Sequence, residues 1–516
     1  MKMKRNIVLS LTAVLATLFA GCNDYLDVND NPNSPEYGRI PPNLSLSAAQ
    51  TQSFRIITGD SRNVEGGINT NGLIQLGNIM TNTWAGNVNS FTNPYSDEFR
   101  GNITSSFYSG VWDWGYVSIA NFQKIIEYNS EDFDNHKAIA MVLKSFYMQY
   151  IVDLYGDVPY TEAFQGGNDS TPAYDDDKQI YRDLADQLDQ AVALIESADG
   201  SDAAVGGEDE MFSGDMQQWM RFANTIKLRL LIRQSDLTDA ETVAYINGQL
   251  DTLVGAEYLN TAVTINPGYN NTNSARQNPF YNTYGYGITG VAAGNRNLVT
   301  ASEHAADALN PVADPRRGRI WVLQGGVVVG IEQGDDAEGA PNNPSSIGPA
   351  FIPVPVGGTN TSVGSAMDGY VMTLAEVKFL LSEAALKYPS KFPGMDAKAL
   401  WEQGVQASFD QLEAGSATTY LETVSTLDGF GWDASANKVE AIMTQKWIAL
   451  MNGNEAESWI DYNRTGFPET PLPLTNNGVG RPKRLMYPVS EYVGNSANVP
   501  QQTAADVFST GPFWAQ

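Results

Sequence analysis

Residues 442–468 read IMTQKWIALMNGNEAESWIDYNRTGFP, and this stretch decides the fold class. Val439, Ile442 or Met443, Lys446 or Trp447, and Leu450 recur at steps of three and four, which lays an apolar stripe along a helix. Asn452-Gly453-Asn454 then interrupts it, because Gly and Asn enter left-handed backbone angles at low cost. A second, shorter helix is predicted from Glu455 to about Asp461, acidic in its first turn as the helix dipole favours, and Arg464 to Pro468 stop it. The pattern is a helical hairpin with Trp447 and Trp459 as a clamp between its arms.

Outside this stretch the chain has 516 residues, 42% hydrophobic and 10% aromatic, enough for a large core. The net charge is −28; the first 21 residues carry Lys2, Lys4 and Arg5 and no acid, so the remainder holds −28 − 3 = −31. That balance excludes nucleic acid as a partner, since neutralising phosphates takes clustered Lys and Arg, and excludes a polybasic membrane-surface mode. The single cysteine, Cys22, rules out a disulfide framework or a thiolate metal cluster within one chain. The two histidines, His136 and His304, fall within helical patterns and are expected as surface or packing residues. No phosphate-cradling loop, nucleophile elbow, HExxH or dinucleotide fingerprint is legible, and neither a cofactor nor a metal is expected.

Residues 1–21 form an export signal, with a basic start and an apolar run at 7–20 too short for a comfortable membrane span. Leu18-Phe19-Ala20-Gly21-Cys22 resembles a bacterial lipobox, which implies that the single cysteine, Cys22, carries a lipid anchor. Asp27 to Asn31 superficially matches a calcium loop, but Pro32 replaces the turn glycine and Gly38 stands at position twelve, so calcium is rejected there. Helices are expected near 48–57 and 73–83, then a loop over 84–102 carrying Trp84, Asn87, Phe91 and Tyr95. Antiparallel helical hairpins follow at 103–155 and 178–234, the latter capped by Asp176 or Asp177, and another region of hairpins at 373–464 opens on the capping box Thr373-x-x-Glu376. Asp157 and Glu162, five residues apart in the loop YGDVPYTEAF, fix no distance and give little weight to a catalytic carboxylate pair. Arg221, Arg229 and Arg233 step along one helix and are expected as salt-bridged helix surface.

Between 253 and 369 helical periodicity fades and Gly, Asn, Pro, Tyr and Val rise. This loop-rich insertion holds Arg276, Tyr281, Tyr284 and Tyr286, a short hairpin expected around Gly325-Gly326, and a long irregular loop over 332–365. A tyrosine or tryptophan face packs against a sugar ring or a peptide side chain, while neighbouring Asn or Arg takes up hydroxyls and amides. Two candidate ligand clusters result: Trp84 with Asn87 and Tyr95, and Tyr281, Tyr284 and Tyr286 with Arg276.

QKWIALMNGNEAESWIDYNRTGFP resembles the C-terminal signature of SusD/RagB-type surface nutrient-binding lipoproteins of Bacteroidota. LFAGC, YGDVPY, WMRFANTIKLRLLIR, Asp314-Pro315-Arg316 and RPKRLMYPVSEY are similar to further markers of that family, and the likeness spans practically all of residues 22–516. The resemblance implies one mainly α-helical domain, a tetratricopeptide-like scaffold of helical hairpins with a loop-rich, ligand-facing side. It further implies a lipid anchor on Cys22, an outer-membrane, cell-surface location, and a SusC-like TonB-dependent transporter as partner. The implied function is non-catalytic capture of an oligosaccharide or peptide and its delivery to that transporter. The alternatives are a secreted glycan hydrolase and a tetratricopeptide-type adaptor that binds only proteins.

Overall fold

The computed structural model describes residues 40–59, 72–165 and 170–515. The export signal, Cys22 and the rejected calcium loop lie outside the described residues. Numbering helices of eight residues or more, α1 is Pro42–Thr58, α2 Leu73–Met80, α3 Ser109–Ile126, α4 Asp134–Tyr155, α5 Asp177–Ser197 and α6 Met216–Arg233. They continue with α7 Ala240–Thr252, α8 Leu374–Lys387, α9 Ala397–Gln411, α10 Lys438–Leu450 and α11 Ala456–Thr465.

The helices from α5 to α10 each begin on a side chain that accepts a first-turn N–H: Asp176, Asp215, Asp239, Thr373, Asp396 and Asn437. Each cap fills a donor that the helix itself leaves unpaired, worth about 1 kcal/mol. The expected hairpins are present as α3 on α4, α5 on α6 and α8 on α9. Packing does not stop within pairs. α4 also lies against α5, α6 against α8, α10 against α8 and α9, and α11 against α2, so the scaffold is continuous. One apolar core runs from Leu46 through Phe146 and Trp219 to Trp459 and Trp514, with a satellite core around Phe379, Trp401 and Ile442 beneath α8–α10.

The fold is mainly α and tetratricopeptide-like, and the loop-rich segment takes its place by two short antiparallel ribbons. β1 (Trp84–Gly86) pairs with β3 (Val299–Ala301), placing Trp84 opposite Ala301. β2 (Val263–Ile265) pairs with β4 (Gly369–Met372), clasping the two ends of the insertion together. The hairpin expected at Gly325-Gly326 shrinks to a tight turn: both glycines have positive φ, and Gln324 and Val327 alone pair across it. Its flanks are claimed by other partners, as Ile331 N donates to Ala301 O.

Trp447 and Trp459 are both buried in the main core, and each also reaches beyond the hairpin. Trp447 stacks on His304 with ring centroids 4.9 Å apart, and its Nε1 donates to Thr83 Oγ1 at 2.8 Å. Trp459 Nε1 donates to Pro482 O at 3.2 Å. Each indole ties the hairpin to distant chain, because a buried ring needs both apolar neighbours and an acceptor for its N–H.

Candidate ligand-binding face

The short helix Pro279–Tyr284 organises the loop-rich side. Asn278 starts it, its Oδ1 accepting from Tyr281 N at 3.0 Å, and Pro279 occupies the first turn where no N–H is needed. Its rings diverge. Phe280 points towards Phe351, Tyr281 towards Tyr286, and Tyr284 meets Trp84 edge-on with centroids 5.0 Å apart. The two candidate clusters, nearly 200 residues apart in sequence, therefore converge through Trp84 and Tyr284.

They converge on the turn of residues 452–454. Trp84 Nε1 donates to Asn452 Oδ1 at 2.7 Å, Asn452 Nδ2 donates to Ile320 O at 2.9 Å, and Asn452 N donates to Asn78 Oδ1 at 2.9 Å. Asn452 holds a φ of 63°, a left-handed angle that Asn tolerates better than most residues.

Burial corrects part of the expected ligand set. Trp84 is 0% exposed and Tyr281 and Tyr284 are each 1% exposed, so these rings are core and offer no face to a ligand. The loops fold back onto the helices, and the hydroxyls find partners inside: Tyr281 Oη donates to Pro353 O and Tyr284 Oη to Gln75 Oε1. Tyr95, half-buried, packs edge-on against Phe99 while its buried Oη has no hydrogen-bond partner among the described residues. Asn87 and Tyr286 are half-buried and reach the surface. Arg276 is exposed, but the guanidinium over the Tyr286 ring is that of Arg296, 4.6 Å from its centroid. Sequence reasoning missed Arg296, since nothing in NRN at 295–297 distinguishes it from Arg276.

The arginines of α6 also need correction. Arg221 is on the surface, paired with Glu257 at 2.9 Å, but Arg229 and Arg233 are each 3% exposed. They enter a buried ionic network across four helices: Arg233 to Glu457 at 2.8 Å, Arg229 to Glu457 at 3.0 Å, Lys446 to Asp461 at 2.7 Å and Arg464 to Glu383 at 2.6 Å. Asp153 and Glu376 also face this set. Among these groups four cations meet five carboxyls. Burial and the nearby Glu457 push the Glu376 carboxyl up, and burial also raises the Asp153 carboxyl. Breaking such a pair costs far more than a surface ion pair, because it strands a buried charge.

Other titratable residues have structural duties. Asp157 Oδ1 accepts from Asp177 N at 3.0 Å and Glu162 Oε2 from Ala173 N at 2.8 Å, tying the loop after α4 to the start of α5 and to the segment ahead of it. His136 is a packing residue, buried with Nε2 3.0 Å from Glu208. His304 is lowered to about 4 by burial, which keeps its imidazole neutral against Trp447. Asp314 and Arg316 form a fully buried pair at 2.8 Å, with Arg316 between the rings of Phe409 and Tyr420. A cavity of about 270 Å³ lies behind Phe280 and reaches the 452–454 turn.

A helical-hairpin scaffold carrying a loop-rich face with aromatic and amide groups defines a mainly α, tetratricopeptide-like class of protein. The chain belongs to the SusD-like family, described as starch-binding and associating with the outer membrane, which matches residues 61–488. A chitin-binding SusD homologue from Flavobacterium johnsoniae superposes with a TM-score of 0.70 at 22% identity, covering 90% of this chain and 96% of that one. SusD homologues from Bacteroides uniformis (TM-score 0.67, 23% identity, 92% and 99% covered) and Bacteroides vulgatus (0.67, 22%, 87% and 93%) share the fold. No curated protein matches the sequence.

Proposed function

We propose that this protein is a non-catalytic capture lipoprotein of the outer-membrane surface, anchored through Cys22, that binds an oligosaccharide or peptide and passes it to a SusC-like TonB-dependent transporter. The observation that carries this reading is membership of the SusD-like family across most of the chain. A chitin-binding protein of the same fold makes oligosaccharides the first class to test. On this reading Asn87, Tyr95, Tyr286 and the exposed Arg276, joined by Arg296, meet the ligand, while Trp84, Tyr281 and Tyr284 hold the loops in place from beneath. Residues 22–516 act as one domain, and binding followed by hinge opening releases cargo without breaking a bond.

Affinity purification of the tagged, full-length protein from membranes tests the transporter step, and calorimetric titration with glycan and peptide panels tests capture. Co-purification of a TonB-dependent transporter together with binding of an intact ligand is the expected result. Release of shortened glycans on prolonged incubation would favour a hydrolase instead, and absence of both transporter and ligand would sink the reading.

A further inference from the structure

Arg296 is a cation without a counter-charge in a strongly acidic chain. Its guanidinium lies 4.6 Å from the centre of the Tyr286 ring, and among the described residues no side chain or carbonyl accepts a hydrogen bond from it. Arg182, Arg221 and Arg319 are half-buried like it, yet each pairs with a glutamate, at 2.6, 2.9 and 2.7 Å. Nη1 of Arg296 is enclosed, which leaves Nε and Nη2 as the open edge of the plane. Those two donors lie side by side and match the two oxygens of a carboxylate.

The two loops that meet here supply no acid. Residues 269–302 hold Arg276 and Arg296 and no Asp or Glu, although the chain as a whole carries −28. Arg276 precedes Gln277, whose Nε2 donates to Tyr286 O at 3.1 Å, so a second cation stands on the same strip. The facing loop, residues 339–367, has no charged residue; a Cβ on Gly290 would meet its Gly358 O at 2.6 Å. Distant surface acids act weakly at this spot, since salt screens exposed charges beyond about 8 Å at physiological ionic strength. Both loops also expose aliphatic side chains: Ile288 and Val291 are 38% and 69% exposed, Val356 and Val363 63% and 56%. Val291 precedes Ala292, which pairs with Tyr286, so this aliphatic ledge adjoins the ring on which Arg296 lies. Aliphatic groups gain by covering other apolar side chains, whereas a sugar ring packs its C–H faces on aromatic rings. The last residue of a peptide carries a carboxylate and a side chain on one carbon, and so can serve the guanidinium and the ledge together.

We propose that Arg296 takes the C-terminal carboxylate of a peptide, whose last side chain lies on the ledge of Ile288 and Val291. The proposal rests on the capture reading and selects peptide over glycan within it. Tyr286 supports the guanidinium by its ring face, so less side-chain freedom remains to be lost when the carboxylate arrives.

Calorimetric titration of the mature chain tests this with tetrapeptides ending in Val, Leu or Ile, each with a free and with an amidated C-terminus. Uronate-bearing and neutral oligosaccharides form the other arms, and Arg296→Gln is compared with wild type. The expected result is that wild type binds the free-acid peptides and that amidation weakens them at least tenfold. Arg296→Gln should weaken the free-acid peptides at least tenfold and erase their advantage over the amides, which a merely structural role for Arg296 would leave intact. If that variant fails to fold, the acid and amide comparison on wild type decides by itself. Equal binding of acid and amide, or an advantage that survives Arg296→Gln, would overturn the assignment. Uronate oligosaccharides bound in place of peptides would overturn the peptide class, and neutral oligosaccharides alone would overturn the carboxylate; either leaves the capture reading standing. If no peptide binds, the proposal falls; if no glycan binds either and membranes yield no transporter, the capture reading falls with it.

Discussion

Gly77 is where the smallest substitution should do the most harm. A Cβ built there would sit 2.0 Å from Ala456 N and 2.1 Å from Glu455 C, both backbone atoms at the start of α11. Backbone cannot swing aside as a side-chain tip can, so Gly77→Ala should destabilise by about 3 kcal/mol or more, read by urea unfolding. Arg316→Ala leaves the fully buried Asp314 carboxylate without its partner and should cost about 3–5 kcal/mol in the same assay. Trp459→Ala should cost about 3–5 kcal/mol through loss of a 1% exposed indole, with ligand preference unchanged. A Trp459 variant that folds normally yet changes preference would contradict that division of labour. The packing of Trp459 was legible in the sequence, but the contacts of Gly77 and Arg316 were not. Gly77 looks like any glycine in a helical pattern, and the Asp314-Pro315-Arg316 marker gives no hint that Arg316 lies between two rings.

Among elements, the junction of α2, α6, α8, α10 and α11 makes stability depend on pH. Burial pushes the Glu455 carboxyl up to about 8, against the pull of hydrogen bonds from Thr81 and Thr83. Its folded value exceeds its ordinary value of 4.5, so the folded chain keeps a proton that the unfolded chain releases. That contribution is full below about pH 4.5 and is lost as pH rises towards about 8. Glu376 shifts in the same direction. Glu383 has the opposite sign: burial raises it, but Arg464 and Lys387 outweigh burial and hold it at about 2, so its contribution is lost as pH falls from about 4.5 through about 2. Thermal melts should therefore show a higher melting temperature near pH 5 than at pH 8, and Glu455→Gln should flatten that upper slope. The helices themselves were legible because periodicity and caps are local: Asp176 and Thr373 cap where expected. The placing of Arg229 and Arg233 on the surface failed for the converse reason, since their partners Glu376, Glu457 and Asp461 lie more than a hundred residues away.

At the scale of the whole molecule, the main core draws on residues from Leu46 to Trp514 and the satellite core is packed beside it. Differential scanning calorimetry of the mature chain should show one cooperative transition, and two well-separated transitions would argue against a single domain. The insertion should melt with the rest, because β2 and β4 clasp its ends and β3 pairs with β1 ahead of the first hairpin. Its loops are irregular in sequence but fixed in place. That explains why aromatic residues in polar loops were a poor guide to exposure: the rings that looked free are the ones anchoring the loops.

By itself the sequence determined the helical class, some helix starts such as those capped by Asp176 and Thr373, the hairpin order and the family likeness, all of which depend on neighbours within a few turns or on short ordered motifs. Tertiary structure alone decided which aromatic rings face solvent, that Trp84 and Tyr284 meet, that Arg296 and not Arg276 covers Tyr286, and that the Asn452–Asn454 turn closes a cavity. The physical reason is range. Caps and periodicity act through backbone hydrogen bonds a few residues apart, whereas burial, charge pairing and cavities arise only where distant segments compete for the same space.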